Sequence, residues 1–492
     1  MEQINKTTQV FFGRTVRQKV LLFSTALFIF NLVLKLLFID AGDIALDEPF
    51  TLFHAQKSIA GIFEMLKDEN NPPLYFLFMK GWTSLFGIGA FAARLPSVVF
   101  SSVTATLLFI LGNRFWNLRT GILAGLIYTF SSFHMFYAHD ARVYSLFCML
   151  SALSYYFFFS LSQNPSSRKF MYWWIIINTL LLYSHFFGIV LIGSQFIFIL
   201  LNKTLRATIF KPLVVCAITL LLVFSPYLSV LFQRFQSTVH NTPWIQAPVW
   251  SDLYTMLWRF SNVPVNTVLM IILLVALIAM AIAGKYSKDI NKNNLTKSVL
   301  FLFLLPYLSI FLVSFYIPVF LDRYIIFISL LYYFSVSISL DRLVPENKSG
   351  WLILMILPLM MASTLKLNPG KKKNIQELVA KINTTKSKET ALYIYPEWFD
   401  LNFVYYYRRD WFREPLKTKS LMRENSIFPI LKPEHIDTLQ LKLVHDVILI
   451  DATGSNYNQD NEISHRIEKF FPKKEISEIY EHLYIIHFSR PE

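Results

Sequence analysis

Hydrophobic residues along this chain arrive in blocks separated by short polar segments. The first block is residues 20–39, and others follow at about 95–113, 120–137, 143–161, 170–185, 188–201, 212–231, 266–283, 298–317, 324–340 and 351–367. Crossing the ~30 Å hydrocarbon layer takes about 20 apolar residues in a helix, because lipid offers no partner to a backbone amide outside one. The pattern therefore predicts an α-helical polytopic membrane protein with about 11 transmembrane helices. Two further stretches have a different look. The segment PPLYFLFMKGWTSLFG at 72–87 is short, carries Lys80 and Trp82, and follows a double proline. Residues 48–66 place Phe50, Phe53, Ile59, Ile62, Phe63 and Leu66 on one side of an amphipathic helix. Both fit helices lying in the membrane interface, within an outer loop spanning 40–94. Beyond residue 368 the blocks stop. The strand-like pieces ALYIY (391–395), DVILID (446–451) and HLYIIHF (482–488), with the helix-like EISHRIEKFFPKKEISEIY between the last two, predict a small α/β domain over 369–492.

Charge sets the orientation of this arrangement. Lys6, Arg14, Arg17 and Lys19 precede the first block, and Arg114/Arg119, Arg168/Lys169, Lys203 to Lys211 and Lys285 to Lys297 fall between later ones, all on the side the charge rule assigns to the cytoplasm. An odd number of crossings then leaves the C-terminal domain outside. Lys371 to Lys373 sit on the disfavoured side of the last crossing, but long domains translocate largely regardless of charge. The first block is too long for a signal-peptide core and no small-residue cleavage pattern follows it, so it reads as a retained span. A net charge of +14 would point to nucleic acid in a soluble protein; distributed this way, it reports topology, and no nucleic-acid partner is expected. Cys148 and Cys216 both lie in apolar blocks and define no disulfide framework. With 54% hydrophobic residues and 16% charged, the chain has more apolar surface than one globular core buries.

Under this topology four outer junctions carry ionisable groups. Asp47 and Glu48 stand in the first outer loop; His139, Asp140 and Arg142 come from HDARVY; His185 from YSHFFG; Asp322 and Arg323 from FLDRY. Each has an ordinary structural explanation. Asp47 suits a helix N-cap with Pro49 in the first turn. Arg142 and Arg323 suit interfacial anchors, and His185 a packed ring among aromatics. Trp82, Tyr137 and Tyr324 are ordinary belt residues. Together they suit chemistry: a carboxylate in a partly dehydrated cavity takes a proton from an attacking hydroxyl, and fixed guanidiniums stabilise charge on a departing phosphate.

The segments LDEPFTLFHA (46–55), NPPLYFLFMKGWTSLFG (71–87), ARLPS (93–97), YAHDARVYSL (137–146), LLYSHFFG (181–188) and FLDRYIIF, in this order, give the first 340 or so residues a resemblance to a known family. They resemble the bacterial relatives of the dolichyl-phosphate-mannose protein mannosyltransferases and of the lipid A aminoarabinose transferase, in the GT-C superfamily of membrane glycosyltransferases. The resemblance implies an inverting transferase that takes a sugar from a polyprenyl phosphate on the outer, periplasmic side of the bacterial inner membrane, with a lipid, glycan or protein as acceptor. It maps the catalytic aspartate onto Asp47, with Glu48 beside it, and the second-loop acid onto Asp140. Arg142, Arg323 and Tyr324 become donor-phosphate contacts, with Lys80 a further one. His139, His185 and Tyr75 are candidates for the rest of the substrate pocket. The chain departs from the family in having Asn71, where His or Lys commonly precedes the double proline. No His, Cys and carboxylate cluster has recognisable ligand spacing, so no cofactor and no metal is expected, although metal use differs across the superfamily. The competing expectations are a lipid or solute transporter, which would place its charges near the bilayer midplane, and a non-catalytic scaffold whose outer domain recruits a partner.

Overall fold

A computed structural model describes residues 2–69, 71–240, 245–284, 289–368, 374–438, 444–452 and 462–491. Lys371 to Lys373 and Lys285 lie outside them. The helices up to residue 363 are α1 (Glu2–Leu36), α2 (Glu48–Ala55), α3 (Ile59–Leu66), α4 (Leu74–Phe86), α5 (Ala90–Phe115), α6 (Leu118–Thr129), α7 (Ser132–Ala138), α8 (Tyr144–Gln163), α9 (Arg168–Ser184), α10 (Gly188–Leu201), α11 (Lys203–His240), α12 (Ser251–Phe260), α13 (Pro264–Ile282), α14 (Ile290–Val313), α15 (Ile326–Leu343) and α16 (Lys348–Ser363). The C-terminal part adds α17 (Ile375–Thr385), α18 (Asp400–Tyr407), α19 (Arg409–Phe412), α20 (Thr418–Glu424) and α21 (Glu462–Glu468), with strands β1 (Thr390–Tyr395), β2 (Ile427–Pro429), β3 (Asp446–Asp451), β4 (Lys473–Tyr480) and β5 (Leu483–Ser489). The chain divides into two compact units: Met1–Leu37, Leu66–Tyr75 and Arg94–Pro369 form one; Phe38–Met65, Phe76–Ala93 and Gly370–Glu492 form the other.

The first unit is a bundle of apolar helices, and each of the eleven hydrophobic blocks falls in one of its helices or helix pairs. Among the described residues seven helices are long and apolar enough to cross a membrane, or eight if α6 and α7 count as one span bent by 62°. The protein is thus polytopic and mostly helical. The expected count of eleven crossings is not established by length and composition, because α9, α10 and α16 have only 17, 14 and 16 residues. The break between α6 and α7 has a local cause. Ser131 caps the new helix by accepting the His134 N–H, while Asn262 receives the Ser132 N–H at 2.7 Å and donates to the Phe130 carbonyl at 2.9 Å. The amides and carbonyls freed at the bend are thus paired inside the protein, as a break in an apolar helix requires.

Small residues let helices touch through their backbones. A Cβ on Gly112 of α5 would lie 2.4 Å from the Gly121 Cα of α6, so no side chain fits at that crossing. Buried polar groups hold α1 to the same bundle: Lys35 Nζ donates to Asn31 Oδ1 at 3.0 Å and Ser101 Oγ at 2.9 Å, and Asn31 Nδ2 to Thr129 Oγ1 at 2.9 Å.

The second unit contains a five-stranded sheet in the order β2-β1-β3-β5-β4. β1 runs parallel to β2 and to β3, with Tyr393 opposite Leu449, and β5 runs antiparallel to both β3 and β4. All six residues of β1 and of β3 are buried, as expected for strands covered on both faces. The predicted α/β domain is present, with two corrections. The helix-like segment 462–480 is helical only to Glu468; after Pro472, the alternating KKEISEIY pairs with β5 as strand β4 and presents its charged side chains at the sheet edge. The amphipathic stretch 48–66 is two helices, because α2 ends at Gln56 and the Ser58 hydroxyl receives the Gly61 N–H at 3.1 Å to start α3.

Candidate functional site

In the membrane unit, three of the chemistry-bearing segments meet. HDARVY links α7 to α8, His185 terminates α9, and Asp322, Arg323 and Tyr324 precede α15. The guanidiniums of Arg142 and Arg323 both act electrostatically on the His185 ring. That ring stacks on Phe147 with centroids 4.7 Å apart and lies 5.8 Å from Tyr324, which in turn stacks on Phe187 at 5.1 Å. The Arg323 guanidinium lies 5.8 Å from the Tyr324 ring centre. His185 Nδ1 accepts the Phe187 N–H at 3.2 Å, which leaves its proton on Nε2. Two cationic groups are therefore gathered around an aromatic floor.

The surrounding contacts fix these segments. Asp322 receives the Arg259 guanidinium at 2.6 Å and the Arg323 backbone N–H at 2.7 Å. The Asp140 carbonyl accepts the Ser97 hydroxyl at 2.6 Å, and His139 Nε2–H donates to the Lys35 carbonyl at 2.7 Å. His139, Asp140 and Arg142 are all buried, as is Tyr75. The buried segment is held by the Lys35 carbonyl of α1 and the Ser97 hydroxyl of α5, and Arg142 is buried with it, unlike a snorkelling anchor, which keeps its head in water. Sequence reasoning missed Lys35, which also lies 4.7 Å over the Tyr128 ring. Its signal was available, since a lone lysine within an apolar span is costly and marks a polar cluster.

Asp47, Glu48 and Lys80 belong to the other unit. Asp47 occupies the N-cap position of α2, yet its carboxylate makes no capping hydrogen bond to the helix. Glu48 is fully buried and turns back, its Oε2 accepting the Ala45 N–H at 3.4 Å while its own N–H bonds the Ala45 carbonyl at 3.2 Å. The two neighbours thus differ: Glu48 closes the turn, and Asp47, half-buried, is carried on it. One turn on, burial first, and then the positive charges of Lys57 and Lys419, push the His54 imidazole down to about 3 from its ordinary 6.5. The Lys80 ammonium donates to the Lys57 carbonyl at 2.6 Å. Among the described residues no three His, Cys, Asp or Glu side chains are grouped as metal ligands.

Residues 70–230 match the family model of the dolichyl-phosphate-mannose-protein mannosyltransferases. Comparison with curated protein sequences returns no match. Among solved structures, ArnT from Cupriavidus metallidurans bound to undecaprenyl phosphate is 12% identical with a TM-score of 0.61, over 94% of this chain and 97% of that one. The Archaeoglobus fulgidus oligosaccharyltransferase is 9% identical with a TM-score of 0.54, over 92% of this chain and 71% of that one. AglB from the same organism, solved with an inhibitory peptide and a dolichol-phosphate, is 8% identical with a TM-score of 0.51, over 92% and 73%. At these identities the likeness is one of fold. In sequence over residues 70–230 and in fold over nearly its whole length, the chain resembles the GT-C membrane glycosyltransferases of the mannosyltransferase and ArnT kind.

Proposed function

We propose that this protein is an inverting glycosyltransferase that moves a sugar from a polyprenyl-phosphate donor to an acceptor hydroxyl or amine on the periplasmic side of the bacterial inner membrane. The observation that carries the reading is that Arg142 and Arg323 both lie within electrostatic reach of His185, with Arg323 beside Tyr324, at the ends of apolar helices. Two fixed guanidiniums suit a phosphate whose charge grows as it departs, since they match its oxygens in a fork and need no reorganisation. ArnT, which shares the fold, is described with undecaprenyl phosphate bound. The crossings number eleven in this reading, with α9, α10 and α16 completing those that length alone leaves short.

In the reaction the Asp47 carboxylate takes the proton of the acceptor O–H or N–H as its heteroatom attacks the anomeric carbon. The bond from that carbon to the phosphate oxygen breaks on the opposite face, and the electron pair leaves with the polyprenyl phosphate. A single in-line displacement inverts the anomeric centre. Arg142 and Arg323, with the Tyr324 hydroxyl, hold the departing phosphate; Asp140 is the second acid of the site, and His139 and Tyr75 shape the pocket. Lys80 is a further phosphate contact. The mechanism uses no cofactor or metal. The test is incubation of the purified protein with a panel of radiolabelled undecaprenyl-phosphate sugars and membrane extract. Label moving to a lipid, glycan or protein, and not moving with Arg142→Ala/Arg323→Ala, supports the reading; no transfer from any donor refutes it.

A further inference from the structure

The first outer loop carries a bulky residue in a conformation it does not choose. Leu46, immediately before Asp47, has φ +58, in the left-handed region where an L side chain crowds its own backbone and only glycine is at ease. Its side chain is exposed, so packing of the leucine does not hold it there. Such a conformation persists only where neighbours over-determine it. Glu48 closes the turn locally through its two bonds to Ala45, and further anchors come from α18 of the C-terminal domain, within the same compact unit. Asn402, itself buried, donates from Nδ2 to the Leu46 carbonyl at 3.2 Å. Tyr406, one turn further along the same helix, receives the Ile44 N–H on its hydroxyl at 2.6 Å. The loop answers in kind: Asp43 accepts the Ile375 N–H at the start of α17 at 2.9 Å through one oxygen and the Gln376 side-chain amide at 2.9 Å through the other. Backbone on both sides of the strained residue is thus pinned by a domain more than 300 residues downstream, with separations of 356 and 362 positions for the two α18 contacts.

We infer that Asn402 and Tyr406 are positioning residues for Asp47, and that the C-terminal domain serves catalysis by imposing the backbone turn that presents this carboxylate. The inference rests on the reading of Asp47 as the base. Asn and Tyr touch no reacting atom; they act through Leu46 and Ile44. Because leucine has no intrinsic preference for this turn and the Glu48–Ala45 bonds are supplemented by those to α18, loss of an α18 anchor lets residue 46 relax toward negative φ and shifts Asp47. A displacement of about 1 Å in a catalytic group costs on the order of 100-fold in rate.

The experiment uses full-length protein in nanodiscs and the labelled undecaprenyl-phosphate sugar panel, with thermal midpoints and amide hydrogen exchange measured on the same samples. Asn402→Leu and, separately, Tyr406→Phe are expected to lower kcat by about 10- to 100-fold with donor KM within about twofold, the signature of a group that matters in the transition state alone. Exchange is expected to speed up at residues 45–51. Adding Leu46→Gly to Asn402→Leu is expected to recover part of the lost kcat, since glycine adopts the left-handed turn without the side-chain penalty that leucine carries; a general folding defect would gain nothing from it. Full kcat in Asn402→Leu and Tyr406→Phe alongside an inactive Asp47→Asn overturns the positioning role and leaves the base standing. Full kcat in Asp47→Asn overturns the base on which the inference rests. A kcat loss that follows the thermal midpoint and is not recovered by Leu46→Gly also overturns it.

Discussion

Arg259 and Asp322 pair at 2.6 Å, and the second oxygen of the same carboxylate accepts the backbone N–H of Arg323 at 2.7 Å. Asp322 therefore orients the residue beside it, and the distant arginine orients Asp322. The pair is partly exposed, with the Arg259 side chain 55% accessible, and an exposed ion pair is worth about 0.2–1 kcal/mol. Arg259→Ala is accordingly expected to raise donor KM by less than about fivefold, the equivalent of that energy. Asp322→Ala removes the backbone anchor as well and should raise it further. Arg323→Ala, which removes the phosphate contact itself, should have the largest effect of the three. Steady-state kinetics on the labelled donor orders them; equal effects would disconnect Arg323 from the phosphate.

The acidic neighbours of the first loop should separate cleanly. Asp47→Asn is expected to lower kcat by about 10² to 10⁴, the usual worth of a general base, without removing a cap from α2, to which its carboxylate makes no hydrogen bond. Glu48→Ala should lower stability as well as kcat, since its Oε2 accepts the Ala45 N–H inside the protein, leaving a buried donor unsatisfied costs about 1–3 kcal/mol, and the turn it closes carries Asp47. Thermal midpoints and single-turnover rates on both variants decide between the two roles.

The apolar blocks were legible because lipid leaves the backbone one economical solution, so every predicted block became helix. Crossing number was less so: α10, with 14 residues, shows that a block can be apolar and helical yet short of the ~20 residues a span needs. The segments bearing Arg142, His185 and Arg323 were found from charge at block ends, and the structure gathers them. Lys35 escaped because one polar residue hardly alters the hydropathy of its block. Leu46 and Asn402 could not be paired from sequence at all; neither is unusual in type, and their meaning lies in a φ angle and a 356-residue separation. Strand β4 was misjudged because KKEISEIY serves either period until its partner β5 is known.

The close approach of α5 and α6 makes a stability prediction independent of any chemistry. A methyl on Gly112 would stand 2.4 Å from the Gly121 Cα, and backbone cannot give way as a flexible side chain can. Gly112→Ala should therefore force the helices apart and cost about 1–3 kcal/mol or more, the range of overpacked cores. Gly193→Ala in α10 meets nothing within 4 Å and should be close to neutral. The check is the thermal midpoint in detergent by size-exclusion chromatography; equal midpoints for the two alanine variants would remove backbone contact as the reason for glycine at 112.

Two titratable groups of the C-terminal unit should pull its stability in opposite directions with pH. Burial raises the Asp400 carboxyl, at the first position of α18, to about 7 from 3.8, outweighing the Leu401 N–H and Lys419 that act against it. A group raised on folding contributes stability in full below its unfolded value and loses it as pH rises through its folded value, here between about 4 and 7. His54, lowered to about 3, has the opposite sign. The unfolded chain takes up its proton below about 6.5 while the folded chain does not, so that contribution is present above 6.5 and lost as pH falls toward 3. Asp400→Asn keeps an acceptor for the Leu401 N–H and removes the buried ionisation. It should slow amide exchange in α18 at pH 8 by an amount on the order of a few kcal/mol in opening free energy, and change it little at pH 4. Since Asn402 and Tyr406 stand on the same helix, the rise in pH that loosens α18 in the native chain should also lower kcat on its alkaline side, and Asp400→Asn should flatten that limb; an unchanged limb would separate the helix's stability from its hold on the loop.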